Sequence, residues 1–459
     1  MNPGQERSEN AIPSLEEKTI QKGISIFSAG DEFEPSIFSS YSIFSKSLSF
    51  LDDRPELKVQ AFRFADVFPT LRNWIQVADH IRLYFLQTRT ELPVLLKFAM
   101  RIALSNPITA FLLSFITGKM ILFFAKFFIV GRNYDQAKNT VYSRYKLGIS
   151  NTIDILGEAV LSEREAGEYS EKYLSLLEGI AGDPILQKLN PNLPNPSANG
   201  NISVKCSALF SQLDPLAFEY SVSVLKERLR PIFRSAVTKN VFVNLDLEQY
   251  ETKDLILTAG LELFSEQEFL DYPHFGLVIQ AYLLTSLQDL EKVITVSGKR
   301  KFPLTVRLVK GAYWEFEVVQ SKQKGWEPPV FLTKPETDLN YEKCAELLLR
   351  SHPRIFPAFA THNVRSMAHA LALAEELNIP KKDYEIQMLY GMGDPYKKAL
   401  RKFGISVREY SPIGEVIPGM AYLVRRLLEN STNEGFLKNI YSKKKDRIQL
   451  LEIRKKAAI

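Results

Sequence analysis

At 459 residues the chain is long enough for one large domain with added elements, or for roughly two to three small ones. Its 45% apolar content supports a sizeable core, and a net charge of +5 with no lysine cluster interleaved with aromatics leaves no footprint for nucleic acid. Two cysteines, Cys206 and Cys344, cannot build a disulfide framework or a cysteine zinc site, and they point to a reducing compartment.

The first ten residues, M-N-P-G-Q-E-R-S-E-N, are polar and carry no apolar signal region. Residues 1–60, rich in Ser, Glu and Phe, read as partly disordered and partly a packed segment. Residues 61–146 read as a helical arm. Trp74, Val77, Ala78, Ile81 and Phe85, then Leu92, Leu95 and Phe98, recur at helical spacing, and Pro107 breaks or starts a helix. Residues 108–130, ITAFLLSFITGKMILFFAKFFIV, test for a membrane span, which needs about 20 apolar residues. Lys119 falls mid-segment, where a lysine costs roughly 2.5–3.5 kcal/mol. Lys126 follows, and Gly118 weakens a helix there. A buried or membrane-surface helix is therefore expected rather than a spanning one.

From about residue 149 a short apolar run followed by an amphipathic stretch recurs. Strands are predicted at 149–156, 202–209, 241–247, 277–282, 304–310, 356–361, 386–389 and 405–410. Helices are predicted at 163–180, 218–233, 253–264, 283–293, 341–350, 364–377 and 419–429. Residues 182–201, with four prolines, form the longest irregular insertion. Eight βα units in series predict an α/β fold, a (βα)8 TIM barrel over residues 147–440, behind the α-helical N-terminal arm. A basic tail, residues 441–459, closes the chain.

Such barrels do their chemistry at the C-terminal strand ends. Those ends offer Asp154 and Glu158; Lys205 and Cys206; Asp246 and Glu248; Gln280 and Tyr282; Arg307 and Lys310; Thr361, His362 and Asn363; Gln387, Leu389 and Tyr390; and Tyr410. No metal constellation is present: His362 stands apart from His352 and His369, and no H-E-x-x-H or C-x-x-C occurs. There is no Walker loop or G-x-S-x-G, and G-M-G at 391–393 lacks the rest of a dinucleotide fingerprint.

Residues 305–314, T-V-R-L-V-K-G-A-Y-W, stand out. Arg307 and Lys310 interrupt a buried-strand pattern with two cations, so this strand end should open onto something anionic or electron-rich. Gly311 allows close backbone approach, and Tyr313 and Trp314 offer flat faces. Arg425 and Arg426 share a predicted helix face with Glu429 and could grip a carboxylate, or could be surface arginines. Lys205 and Asp246, at matching depth on neighbouring strands, could form a functional ion pair or a structural one.

R-L-V-K-G-A-Y-W at 307–314, F-A-T-H-N at 359–363 and A-Y-L-V-R-R-L-L-E-N at 421–430 resemble proline dehydrogenase, above all the proline dehydrogenase half of bifunctional bacterial proline utilisation flavoproteins. S-V-K-C-S-A-L at 203–209, D-L-E at 246–248 and Q-A-Y at 280–282 are similar to the same family. The resemblance implies a distorted barrel holding FAD, oxidation of L-proline to Δ1-pyrroline-5-carboxylate, and electrons passed to a quinone. It implies that Arg425 and Arg426 hold the proline carboxylate, supported by Lys205 with Asp246 pairing beside it. Leu389, Tyr313 and Tyr410 would wall the proline ring, Tyr410 leaving no room for a ring hydroxyl. Gln280, Arg307 and Lys310 would contact the flavin, Arg307 near N5, with Leu247, Gly311, Ala312 and Trp314 packed along it. Thr361 and His362 would meet the adenylate and pyrophosphate side, and Glu429 the ribityl or ribose hydroxyls. The final helix would lie across the mouth as a lid.

The chain shows no aldehyde dehydrogenase segment after the barrel, so a monofunctional enzyme feeding a separate pyrroline-5-carboxylate dehydrogenase is expected. So is a cytoplasmic location, with peripheral contact at the inner face of the cell membrane. Two rival readings are a lyase using Lys205 as a Schiff base and a non-catalytic membrane-associated scaffold.

Overall fold

The computed structural model describes residues 14–33, 46, 50–51, 54–88, 91–157, 160–189, 198–415, 419 and 444–452. Eight parallel strands close into a barrel: β1 (Ile149–Ile155), β2 (Asn201–Lys205), β3 (Phe242–Asp246), β4 (Phe275–Gln280), β5 (Leu304–Val309), β6 (Ile355–Ala360), β7 (Glu385–Leu389) and β8 (Ser406–Ile413). β8 returns to pair with β1 from Ile149↔Val407 through Ile155↔Ile413, which leaves no open sheet edge. The arm comprises α1 (Leu15–Asp31), α2 (Pro55–Val67), α3 (Trp74–Ile81), α4 (Val94–Ala103), α5 (Pro107–Ala125) and α6 (Tyr134–Lys146). Around the barrel follow α7 (Glu163–Ala181), the short α8 (Pro184–Leu189), α9 (Phe218–Lys239), α10 (Tyr250–Ser265), α11 (Ser286–Ser297), α12 (Trp314–Lys324), α13 (Lys334–Arg350), α14 (Val364–Glu376), α15 (Asp394–Lys402) and, last, α16 (Lys444–Leu451).

The strands are buried on both faces, as a parallel barrel requires. Inside, polar side chains satisfy one another. Asn244 and Thr152 both donate to Asn201 Oδ1 at 2.9 Å, and Arg408 pairs with Glu385 at 2.8 Å. Outside, Phe233, Phe264, Phe269 and Phe275 pack ring against ring between α9, α10 and β4, with centroids 4.7–6.0 Å apart. Each aromatic there buries a large apolar area.

α1 opens with a capping box between Ser14 and Glu17, which satisfies orphan N–H groups in its first turn. It packs on α14 and α15. Arg365 of α14 clasps Glu16 of α1, Glu342 of α13 and the carbonyl of Leu451 in α16. α2, α3 and α5 share a small core of their own, built on Phe64, Val77, Ile81 and Ala110.

Three expectations change. β2 stops at Lys205, because Ser207 turns aside to bond Glu248 through its N–H at 3.2 Å and its hydroxyl at 2.7 Å. α12 and α15 were not expected; both are short and rich in charge, which hides an apolar stripe. Finally, of the two places expected for α5, buried or at a membrane surface, the first does not hold. The helix runs unbroken through Gly118, where Phe68 packs, and turns Ile108, Phe111, Leu112, Phe115 and Ile116 to solvent.

At the foot of β4, His274 lies buried with its ring edge-on to Tyr272, and burial pushes its pKa down from 6.5 to about 4. The folded protein therefore takes up this proton at lower pH than the unfolded chain. The stability it contributes is full above pH 6.5 and is lost as pH falls toward 4. His274→Asn should remove on the order of 2 kcal/mol of the stability difference between pH 7 and pH 4.5, read from urea midpoints of the two proteins at each pH.

Candidate active site

The C-terminal strand ends surround one cavity of about 620 Å³. Lys205, Asp246, Arg307 and Tyr410 line its floor, and Leu247, Gln280, Lys310, Gly311, Ala312, Tyr313 and Trp314 line one side. Thr361, His362 and Leu389 line the other. The closed register brings these side chains together from six different strands. Arg425, Arg426 and Glu429, with the helix expected at 419–429, lie outside the described residues, as does Glu158.

Two ion pairs set the floor. Arg307 Nη1 donates to Asp246 Oδ1 at 2.7 Å and to Ser203 Oγ at 3.0 Å. Lys205 pairs with Asp154 at the end of β1 and also reaches Tyr410 Oη at 3.5 Å. The expected pairing of Lys205 with Asp246 is thus corrected. The two are register partners, yet parallel neighbours point the same way, and each finds its opposite charge elsewhere: Lys205 on β1, Asp246 on β5. Tyr410 bridges the pairs. Its phenol donates to Asp246 Oδ2 at 2.7 Å, and the Arg307 guanidinium lies 5.1 Å above its ring. Burial, then the carboxylates of Asp154 and Asp246, raise the Tyr410 phenol well above its usual range, so it stays protonated and donating. Burial likewise raises the Asp154 carboxyl, against the pull of Lys205.

The cavity walls are shaped by backbone as much as by side chains. Gly311 has φ +133°, and a Cβ there would stand 2.2 Å from the Tyr282 ring, so only glycine lets the β5 turn close over that ring. Gln280 Nε2 donates to Glu248 O at 2.9 Å, which turns its amide across the mouth. Lys310 pairs with Asp338 of α13, and Lys334 approaches the same carboxylate at 3.3 Å. Burial would raise Asp338, but the two ammonium groups hold it below the usual carboxylate range. Trp314 Nε1 donates to Phe331 O at 2.8 Å, and His362 Nε2 accepts the Leu389 N–H at 3.1 Å.

Some buried polar atoms of residues that line the cavity have no hydrogen-bond partner among the described residues: Arg307 Nε and Nη2, and Gln280 Oε1. Buried donors and acceptors left unpaired are costly, so a ligand offering both should fill them. A flat heteroaromatic ring with carbonyl, ring-nitrogen and N–H edges does so, and the flavin ring of FAD fits this donor set. Asp154 was among the strand-end candidates from sequence but was given no role, and Ser203 and Asp338 were not singled out.

Comparison with known proteins agrees with this geometry. A model of the proline dehydrogenase family matches residues 137–439, and a model of the proline utilization A N-terminal domain matches residues 16–128. The bifunctional protein PutA of Salmonella typhimurium is 31% identical over 327 residues, covering 68% of this chain and 24% of the relative. Proline dehydrogenase 1 of Bacillus subtilis is 31% identical over 320 residues, covering 70% of this chain and 91% of the relative. The crystal structure of proline utilization A from Bdellovibrio bacteriovorus, inactivated by N-propargylglycine, superposes with a TM-score of 0.84 at 39% identity, over 96% of this chain and 44% of that one. The chain thus spans about a quarter of the Salmonella relative and under half of the Bdellovibrio one. With the family model running through the whole barrel and the arm matched as well, the chain belongs to the proline dehydrogenase family.

Proposed function

We propose that this chain oxidises L-proline to Δ1-pyrroline-5-carboxylate with FAD bound in the 620 Å³ cavity, and passes the electrons to a membrane quinone. The observation that carries the reading is Arg307, buried beside the cavity, anchored by Asp246 through one nitrogen, with its other two nitrogens unpartnered among the described residues. Gln280, Lys310, Gly311, Ala312, Leu247 and Trp314 would hold the flavin ring, and Thr361, His362 and Glu429 the rest of the cofactor. When bound, the flavin accepts the hydride that leaves the proline ring carbon next to nitrogen.

The protein's own part is binding, orientation and charge. Arg425 and Arg426 would grip the carboxylate, with Lys205 adding positive potential. Leu389, Tyr313 and Tyr410 would press the ring into place and exclude water. Proline reacts as the neutral amine, and a cationic mouth disfavours its ammonium form. Tyr410, locked to Asp246, would leave no room for a ring hydroxyl. The Schiff-base alternative is weakened by Asp154, which pairs with Lys205 and favours its charged, non-nucleophilic form.

The purified protein should be yellow and should bleach on adding L-proline without oxygen, and N-propargylglycine should abolish that bleaching irreversibly. A protein that cannot take up FAD overturns the reading. Arg425→Ala should raise the proline KM by about 10- to 100-fold, because one charge-assisted hydrogen bond is worth roughly 1.5–3 kcal/mol. An unchanged KM removes the carboxylate assignment.

Quinone reduction calls for access to lipid, and the arm has a surface of matching chemistry. Val94, Leu95 and Ile108 are 85%, 80% and 78% exposed, beside Phe98, Ile102, Phe111 and Phe115. From Leu92 to Tyr134 the chain carries Lys97, Arg101, Lys119, Lys126 and Arg132 and no acidic residue. An apolar face edged only by cations suits an anionic bilayer surface on the cytoplasmic side. The protein should float with vesicles containing anionic lipid and not with zwitterionic ones. Phe98→Glu with Phe115→Glu should abolish flotation while proline still bleaches the protein. If the wild type fails to float, the lipid assignment is wrong, and a partner such as a separate pyrroline-5-carboxylate dehydrogenase becomes the occupant to test.

A further inference from the structure

We propose that the arm sets the position of the proposed proline-ring wall, Leu389, through a buried charge relay centred on Lys397; this rests on the reading of the pocket given above. Lys397 lies on α15 with no exposed surface. Its Nζ donates to Leu389 O at 2.8 Å, Glu409 Oε1 at 2.5 Å and Asp394 Oδ1 at 3.3 Å. An ammonium has three donors, so this one is fully committed and none faces the cavity. Glu409, equally buried, precedes Tyr410 on β8, and its Oε2 accepts from Arg144 Nε at 2.9 Å. Arg144 belongs to the arm helix α6 and closes the loop on Asp394 with both terminal nitrogens, at 2.9 and 2.7 Å. Two cations and two anions balance, which is how such a cluster tolerates burial.

Both backbone polar atoms of Leu389 are therefore engaged by side chains. Its N–H is held by His362 from the cofactor side of the mouth, and its carbonyl accepts from a lysine tied to the arm at 2.8 Å and from the Met392 N–H at 3.3 Å. The next two residues meet the arm as well. Tyr390 lies close enough to Thr140 of α6 for that hydroxyl to oppose the burial that raises its phenol. Gly391, at φ +76°, sits so close to the segment after α5 that a Cβ would fall 1.5 Å from Phe127 O. Three successive rim residues thus take their positions from the arm. An apolar side chain at 397 would fill the space but leave the Leu389 carbonyl to the longer Met392 N–H bond alone. The relay adds the shorter bond.

The test compares proline KM and kcat for the wild type, Lys397→Met, Lys397→Arg and Tyr390→Phe, with bound flavin measured by absorbance. Lys397→Met should raise KM about tenfold while kcat stays within about threefold and flavin content holds, because a displaced substrate wall weakens binding first. Lys397→Arg should recover part of that loss. Tyr390→Phe leaves the buried charges intact, and should raise KM about two- to threefold. If the arm serves stability alone, flavin content and Tm fall while KM of the remaining holoenzyme is unchanged, which overturns the proposal. Should Lys397→Met fail to fold, an unchanged KM in Tyr390→Phe overturns it equally. A wild type that bleaches with proline while the variants keep their KM refutes the positioning alone; a wild type that never bleaches refutes the reaction, and the positioning with it.

Discussion

The ion pair between Arg307 and Asp246 is the constraint around which the barrel mouth is arranged. A guanidinium buried at the end of a strand costs several kcal/mol in desolvation unless charge and hydrogen bonds offset it. Asp246 supplies the charge and Ser203 an additional acceptor, both on the same guanidinium nitrogen. Nε and Nη2 have no partner among the described residues. The fold thus stabilises the guanidinium charge through one nitrogen only.

Asp246 cannot hold this position alone, because a second anion, Asp154, lies on the same floor. Like charges this near would push one carboxylate to protonate. Lys205 answers Asp154, Arg307 answers Asp246, and the Tyr410 phenol hydrogen-bonds across the gap. The floor is therefore neutral overall while each cation remains locally positive toward the cavity. The barrel thus holds two cations and two anions at this floor without burying net charge.

Much of this was legible because barrels write strands as short apolar runs, and charged residues inside such runs need a reason. Arg307 and Lys310 interrupt theirs, and Asp246 and Lys205 end theirs, so the mouth could be located from sequence. Partner choice could not. Lys205 lies on β2 between β1 and β3, so Asp154 and Asp246 flank it on either side, and the residue pattern does not say which of two neighbouring carboxylates the lysine reaches. Asp338 was invisible for a similar reason. It precedes the helix expected at 341–350 and lies in the second turn of the helix that forms, and only the fold brings it to Lys310. α12 and α15 were missed because charge fills the faces that solvent sees, while the residues that bury, such as Val318, Tyr396 and Leu400, are too few to form a periodic stripe.

The arm has two chemistries, and they lie on opposite sides of it. Its outer helices present large apolar side chains bordered by cations, while its inner helix α6 presents Arg144, Thr140 and Tyr145 to the barrel. A segment that only shielded the barrel would need the apolar side inward. Here the inward side buries Ala125, Phe128, Ala137 and Val141 in the barrel's own core and adds specific polar contacts to it, and the segment after α5 adds its own backbone to β8 through Val130 N to Pro412 O at 2.8 Å and Gly414 N to Gly131 O at 2.9 Å. The same stretch of chain that ends the exposed apolar helix is thus hydrogen-bonded to the strand carrying Tyr410. Whatever covers the outer face is mechanically close to the pocket, because between them stand one strand and a charge cluster with no spare donor on its lysine.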